Sequence, residues 1–307
     1  MGERKTTKIN IKPNKTTQKS ANIKSVERCF MRYKRILTVQ DISCVGQCSS
    51  TVALPILSVC GFETGVLPCS LLSNHTTGFD EYSFKDLADE MKEIIDKWQS
   101  QQIKFSAVYS GYIGNINQLK MLEKVMDKCL EEGAVRIIDP AMADNGQLYP
   151  GFDDQFIEEV KALISKADYI LPNVTEACLL TGTEYTEVYN QQFIKILLKK
   201  LAEIGCKNIV LTGVSLDGHS IGVAIYTNGN CSFHFHEKVS RSSPGTGDVF
   251  ASVFTGALLK GKNIFDSAEI ASTFVVECLK ETLKYPDHTY GPVFEPVIGK
   301  LIEAMNN

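Results

Sequence analysis

Short apolar runs alternate along this chain with longer stretches in which apolar residues recur at helical spacing. "RILTVQ" (Arg35–Gln40) predicts a strand, followed by a Gly/Ser-containing loop and an apolar helix near Ser50–Val59. "GVLPCSLL" predicts a second strand and "SFKDLADEMKEIIDKW" an amphipathic helix. "FSAVYSGY", "VRIIDP" and "YILPN" predict further strands, separated by helices at Asn117–Leu130 and "FIEEVKALISKA". Two more helices, the strand "NIVLTG" and a hairpin follow, the last formed by "IGVAIYT" and "CSFHFHE" around Asn228-Gly229. Helices complete the chain after Asp248. This alternation predicts an α/β fold, a three-layer, doubly wound, mostly parallel central sheet flanked by helices. Such a sheet binds ligands at the carboxyl ends of its strands.

Composition changes the picture mainly at the N-terminus. Residues 1–34 carry ten Lys/Arg against Glu3 and Glu27, about +8 within a chain whose net charge is −4. With little apolar periodicity, this stretch is expected to be a disordered basic tail before a single domain over 35–307. "MGERKT" fits a loose myristoylation pattern, against which stands a solvated tail or a cloning remnant. No apolar run reaches the length of a transmembrane helix, and no secretory signal is visible. The ten cysteines form no C-x-x-C pair and lie mostly in apolar segments, which predicts reduced thiols rather than disulfides or zinc. A cytoplasmic protein without a nucleic-acid or stable membrane partner is expected.

Candidate chemistry centres on "SSPGTGDVFASVFTGALLKG" (Ser242–Gly261). Gly245, Thr246, Gly247 and Asp248 stand where a helix begins, so their N–H groups and the helix dipole offer an anion site beside a carboxylate. An anion hole next to a base suits phosphoryl transfer to an alcohol. A plain helix start with Asp248 as dipole partner is the alternative. Other polar groups follow the predicted strands: Asp41, Ser110-Gly111-Tyr112, Asp139 with Asp144, Asn173 with Glu176, and Thr212-Gly213. In a parallel sheet these share one rim, and carboxylates beside an anion hole suggest a magnesium-bound polyphosphate. Individually, Asn173 with Glu176 also fits a capping box, Asp139-Pro140 a turn, and Asp41 a helix cap. His234 and His236 alternate on a strand and read as half-exposed residues rather than metal ligands. No G-x-G-x-x-G follows the first strand, which disfavours a dinucleotide enzyme.

"GTGDVFASVFTGALLKG" resembles the signature of the ribokinase-like superfamily. With "SLLSNHTTGF", "YSGYIGN", "DPAMADNGQLYP" and "ADYILPNVTEACLLTG", the chain resembles pyridoxal/pyridoxamine (vitamin B6) kinases from about residue 35 to 260. The resemblance implies an ATP-dependent phosphorylation of the vitamer's hydroxymethyl group, with Asp248 as base and Gly245, Thr246 and Gly247 as the anion hole. It implies that Asp139, Asp144, Asn173 and Glu176 organise Mg²⁺ and phosphates, Glu176 through water, with Thr212 and Gly213 near the nucleotide. Asp41, Thr76 and Tyr112 match ring-contacting positions, with His75 alongside. The family commonly forms homodimers and often uses a monovalent cation such as K⁺. Many of its members carry serine where this chain has Asp41, whereas hydroxymethylpyrimidine kinases carry aspartate near that place. That kinase activity, another small-molecule kinase, or a silent ligand-binding relative are therefore the alternatives. Cys44 and Cys48, in the loop after the first strand, are either packing residues or a source of a thiolate that adds to an aldehyde.

Overall fold

Along the first strand, β1 (Arg35–Ser43), Ile36 packs into one apolar cluster while Leu37 and Val39 pack into another. Successive side chains of a strand point to opposite faces, so this alternation places β1 in a sheet covered on both sides. The computed structural model describes residues 33–306. Of the tail expected over residues 1–34, residues 1–32, the lipidation pattern included, lie outside the described residues.

From β1 the chain runs through α1 (Ser49–Val59), β2 (Glu63–Leu72), a short β3 (Phe84–Asp86) and α2 (Ala88–Ser100). β4 (Phe105–Ser110), α3 (Ile116–Lys128), β5 (Leu130–Ile138) and a small hairpin of β6 (Ala143–Asp144) and β7 (Gln147–Leu148) follow. Next come α4 (Asp154–Ile164), β8 (Tyr169–Ile170), α5 (Val174–Thr181), α6 (Gln191–Ile204) and β9 (Ile209–Val214). The hairpin β10 (Ser220–Thr227) and β11 (Asn230–Glu237) leads to α7 (Thr246–Leu259), α8 (Ile264–Thr282) and α9 (Ile298–Asn306).

Nine strands form one sheet in the order β11-β10-β9-β8-β5-β4-β1-β2-β3. The six strands from β9 to β2 pair in parallel, while β10, β11 and β3 are antiparallel additions at the edges. Residues of α2 to α6 bury against one face and residues of α1, α7, α8 and α9 against the other. The expected three-layer α/β fold is therefore present. The chain leaves β1 toward β2 on one side and returns on the other for β4. That reversal opens a crevice at the carboxyl ends of β1 and β4.

Local differences from the sequence reading have identifiable causes. The stretch Phe84–Asp86, expected at the start of a helix, pairs with β2 in the register Leu72↔Phe84 and Ser70↔Asp86. Leu87 N–H then donates to Cys69 O at 3.0 Å, and Asp86 Oδ1 accepts from Ala88 N–H at 2.8 Å, so the helix starts only at Ala88. "YILPN" is a strand only at Tyr169–Ile170, and pairing resumes at a single Asn173↔Thr212 bridge. Pro172 between them has no N–H to give a ladder. Leu130, expected to end a helix, instead begins β5. The β6–β7 hairpin was not expected. Its Asn145-Gly146 turn takes positive φ at both residues, 49° and 78°, as Asn228-Gly229 does at 52° and 79°.

Candidate active site

Gly245 takes φ +81° at the N-cap of α7, and no side chain caps the helix. A β-carbon there would lie 2.2 Å from Gln47 O, so both backbone conformation and space require glycine. Thr246, Gly247 and Asp248 form the first turn, whose N–H groups lack intrahelical acceptors. No atom lies within 4 Å of a β-carbon built at Gly247, which leaves the approach to these donors open. The start of α1 faces the same place. Its Cys48 N-cap has no side-chain cap, Ser49 takes φ +47°, and the Ser49 N–H reaches the Asp248 carboxylate. Two helix N-termini thus converge, and their dipoles favour negative charge between them.

The expected carboxylates gather around this start. Burial pushes Asp248 up to about 7; the Asp41 charge adds to the shift and the Ser49 N–H opposes it. Asp139 is raised well above the usual carboxylate range by burial and by the negative charges of Glu176 and Asp248. Glu176 is 2 % exposed and burial pushes it up to about 8, against the pull of backbone N–H groups at Asn173, Met142 and Ala143. Its Oε2 accepts from Asn173 N–H at 2.8 Å and its Oε1 from Met142 N–H at 3.1 Å. With Asn173 Oδ1 accepting from Glu176 N–H at 2.9 Å, the capping box weighed in the sequence is present. Carboxylates held up by one another gain most from a nearby cation. Among the described residues no three His, Cys, Asp or Glu side chains are grouped to chelate a metal by themselves.

The remaining nucleotide-side residues occupy the rim. Asn173 Nδ2 donates to Ala143 O at 2.8 Å and ties the β6–β7 hairpin to α5. Asp144 is exposed, and its oxygens accept from Asn145 N–H at 2.9 Å and Asn145 Nδ2 at 3.1 Å. Thr212 pairs back to Pro172 O through its N–H at 2.8 Å, and Gly213 is exposed with φ +70°. Two residues escaped the sequence reading. Tyr149, just after the hairpin, is 37 % exposed, and partial burial with the charges of Glu176, Asp144, Asp139 and Asp248 raises its phenol, so it lies within electrostatic reach of all four carboxylates. Ser49 falls in the Gly/Ser-containing loop expected before the helix at Ser50–Val59, whereas the structure makes it the first residue of α1. The Asn-Gly pair at 145–146 could have revealed the hairpin, but nothing in the sequence aims Tyr149.

On the opposite side, Asp41 lies within β1 rather than after it, next to a bulge at Gln40/Ile42. It is buried. Its carboxyl is raised by burial and lowered by hydrogen bonds from Ser49 and Ser43 and by His75. Ser43 Oγ donates to Asp41 Oδ2 at 3.1 Å. Burial pushes the Tyr112 phenol up to about 12, with Cys69 and Asp41 contributing next. Asp41 therefore lies within electrostatic reach of both His75 and Tyr112. Thr76 is exposed on the His75 loop, where the His75 Nδ1 accepts from Thr77 N–H at 3.2 Å. Cys48 is 2 % exposed, and burial with the charges of Asp248 and Asp41 raises its thiol, so it packs and supplies no thiolate. Cys44 is exposed, and the cysteines among the described residues are all free.

The sequence profile of the family described as phosphomethylpyrimidine kinase matches residues 69–294. The chain belongs to this family. A Bacteroides thetaiotaomicron protein assigned as a phosphomethylpyrimidine kinase and crystallised with pyridoxal is 34% identical, with a TM-score of 0.83. That match covers 88% of this chain and 96% of the other. Pyridoxal kinase from Lactobacillus plantarum is 28% identical at a TM-score of 0.82, over 88% of this chain and 97% of its own. The hydroxymethylpyrimidine/phosphomethylpyrimidine kinase of Bacillus subtilis is 27% identical over 187 residues, 60% of this chain and 67% of that one. Membership in this kinase family accords with a buried carboxylate, Asp248, beside an open helix start at the sheet's switch point. Among the described residues no helix is long and apolar enough to cross a membrane.

Proposed function

We propose that this family member phosphorylates the hydroxymethyl group of a vitamin B6 vitamer with ATP. The observation that carries this reading is the placement of Asp248. Its carboxylate lies in the first turn of α7, beside the open N–H groups of Thr246 and Gly247, and within the field of Asp41 across the crevice. A base pushed up to about 7 takes a proton from an alcohol at neutral pH more readily than an ordinary carboxylate does. The N–H groups at the α7 start bind the transferring phosphoryl group as charge builds on its oxygens. Asp139, Asp144 and Glu176 would hold Mg²⁺, which neutralises phosphate charge. Asn173, Thr212 and Gly213 border the nucleotide, and Asp41, His75 and Tyr112 orient the ring.

Asp41 also favours a second reading, phosphorylation of hydroxymethylpyrimidine, since a buried carboxylate can accept from an aminopyrimidine as well as from a pyridine phenol. ADP release across pyridoxal, pyridoxine, pyridoxamine, hydroxymethylpyrimidine and ribose decides between them. At least one B6 vitamer is expected to give the highest kcat/KM. A higher value for hydroxymethylpyrimidine makes the chain a pyrimidine kinase, and a higher value for ribose rejects both readings.

A further inference from the structure

The segment between α8 and α9 meets the loop between β1 and α1 at one side chain, Gln47. Gln47 Nε2 donates to both oxygens of Glu295, at 2.7 and 2.8 Å. Its Oε1 lies 2.8 Å from His288 Nε2, and its N–H donates to Tyr290 O at 3.0 Å. The amide is thereby oriented at both ends, since its oxygen needs the histidine N–H and its nitrogen needs a carboxylate. Arg241 fixes the segment itself, donating to the carbonyls of Thr282 and Tyr285 at 3.0 Å each.

The backbone of Gln47 is the wall behind the anion hole. β-carbons built at Gly245 and Gly291 would fall 2.2 and 2.6 Å from Gln47 O, so these backbones press on it from two sides. Gly247, one residue past Thr246, has no such neighbour. The glycine turn is thus buttressed on its Gln47 side and open on the other. The same segment grips the substrate side: Tyr290 stacks on Phe79 with ring centroids 5.0 Å apart, and Thr289 Oγ1 lies 3.5 Å from Gly78 O. Val45 O, two residues before Gln47, accepts from His75 N–H at 2.8 Å.

We propose that Gln47 is a positioning residue for phosphoryl transfer: clamped by His288 and Glu295, it sets the Gly245–Gly247 turn against the end of β1 that carries Asp41 and the loop that carries His75. Donors aimed at a transferring phosphoryl group act in the transition state more than in the ground state. A displacement of about 1 Å in such a group can cost on the order of 10²-fold. Loosening Gln47 therefore lowers kcat while leaving KM for the alcohol nearly unchanged. The inference rests on the kinase reading of this site but not on which alcohol is used.

The test is a charge exchange across the clamp. Gln47→Glu keeps the acceptor for His288 but sets two carboxylates against each other. Adding Glu295→Gln returns a donor to the pair. Expected are a fall in kcat of roughly 10- to 100-fold in the single variant and faster hydrogen exchange at the Thr246–Asp248 amides. The double variant restores both to within about threefold, with KM for the alcohol steady throughout. Glu295 is exposed, so Glu295→Ala provides a second variant that folds readily, and it lowers kcat in the same sense. Unchanged kcat and exchange in either single variant overturn the proposal. So does a lower melting temperature with kcat per folded molecule intact, or a loss that Glu295→Gln does not repair. If the wild type prefers hydroxymethylpyrimidine, only the substrate reading fails; the variants are then compared on that alcohol, and amide exchange reads the turn either way.

Discussion

On the side of the crevice proposed to hold phosphate, the candidate groups sit on helix starts and strand ends. Asp248, Thr246 and Gly247 open α7, Asn173 and Glu176 open α5, and Asp139 follows β5. On the side proposed for the ring, His75 and Thr76 ride a loop tied to Val45 through the His75 N–H and to the segment between α8 and α9 through the Phe79–Tyr290 stack and Thr289. Tyr112 lies beyond β4, and Asp41 is fixed by Ser43 and Ser49. Helix starts are stereotyped, so they offer the same donors to any phosphate. On the proposed reading, selectivity falls to segments brought together from distant parts of the chain, since each contributes one contact whose geometry depends on the others. Substitutions on the first side should therefore act on chemistry, and those on the second on substrate choice.

The largest effect is expected at Asp248. Asp248→Asn removes the base but keeps the shape, and kcat should drop by roughly 10²–10⁴-fold with the melting temperature nearly unchanged. In the wild type the base must be unprotonated, so kcat/KM should fall as pH drops below about 7, where burial holds Asp248. A variant retaining more than half of wild-type kcat, with chemistry rate-limiting, removes Asp248 from this role.

The two glycines of the turn separate scaffold from ligand approach. Gly245→Ala meets both φ +81° and Gln47 O at 2.2 Å. A left-handed alanine alone costs about 1–2 kcal/mol, and displacing the turn should lower kcat by roughly 10²-fold. Gly247→Ala finds empty space, so its melting temperature should match the wild type while its KM for ATP rises. Equal melting temperatures for both variants would mean that the buttress is not rigid.

Much of this was legible beforehand because it rests on local rules. The βα alternation, the Asn228-Gly229 hairpin, the Asn173–Glu176 capping box and the α7 start each depend on a few neighbouring residues. What escaped depends on distant ones. Phe84–Asp86 is a strand because β2 offers it an edge. Ser49 takes φ +47° at the junction of β1 and α1, where its N–H meets Asp248 about two hundred residues away. Tyr149 lies within electrostatic reach of four carboxylates only because the β6–β7 hairpin, tied down by Asn173, places it there.

On the ring side, Asp41→Ser should redistribute selectivity rather than disable transfer. Losing a charged hydrogen bond typically costs about 1.5–3 kcal/mol, roughly a 10- to 150-fold change in kcat/KM for the substrate that uses it. The ATP requirement should stay put. The Asp41 charge also helps hold Asp248 up, so its removal should move the acid limb of the rate profile to lower pH. An unchanged limb, with selectivity shifted, would confine Asp41 to ring recognition.

The smallest expected change is one of stability, and it tests whether Glu176 is more than a cap. Its folded-state pKa of about 8 lies above the ordinary 4.5. A carboxylate raised by folding favours the folded state while protonated. That contribution is fully present below about 4.5 and is lost as pH rises through about 8. The metal-free protein should therefore lose melting temperature across this window, and Mg²⁺ with nucleotide should recover more of it at pH 8 than at pH 6. Glu176→Gln should flatten the pH dependence and raise the Mg²⁺ concentration needed for half-maximal rate. It also removes one arm of the capping box, because an amide cannot accept at both ends from the N–H groups of Asn173 and Met142. Losing a cap typically costs about 0.5–2 kcal/mol, so at pH 6 the variant should melt below the wild type, and the gap should narrow at pH 8. A gap that stays constant with pH, with an unchanged Mg²⁺ requirement, would leave Glu176 as the cap of α5 and place metal binding on Asp139 and Asp144.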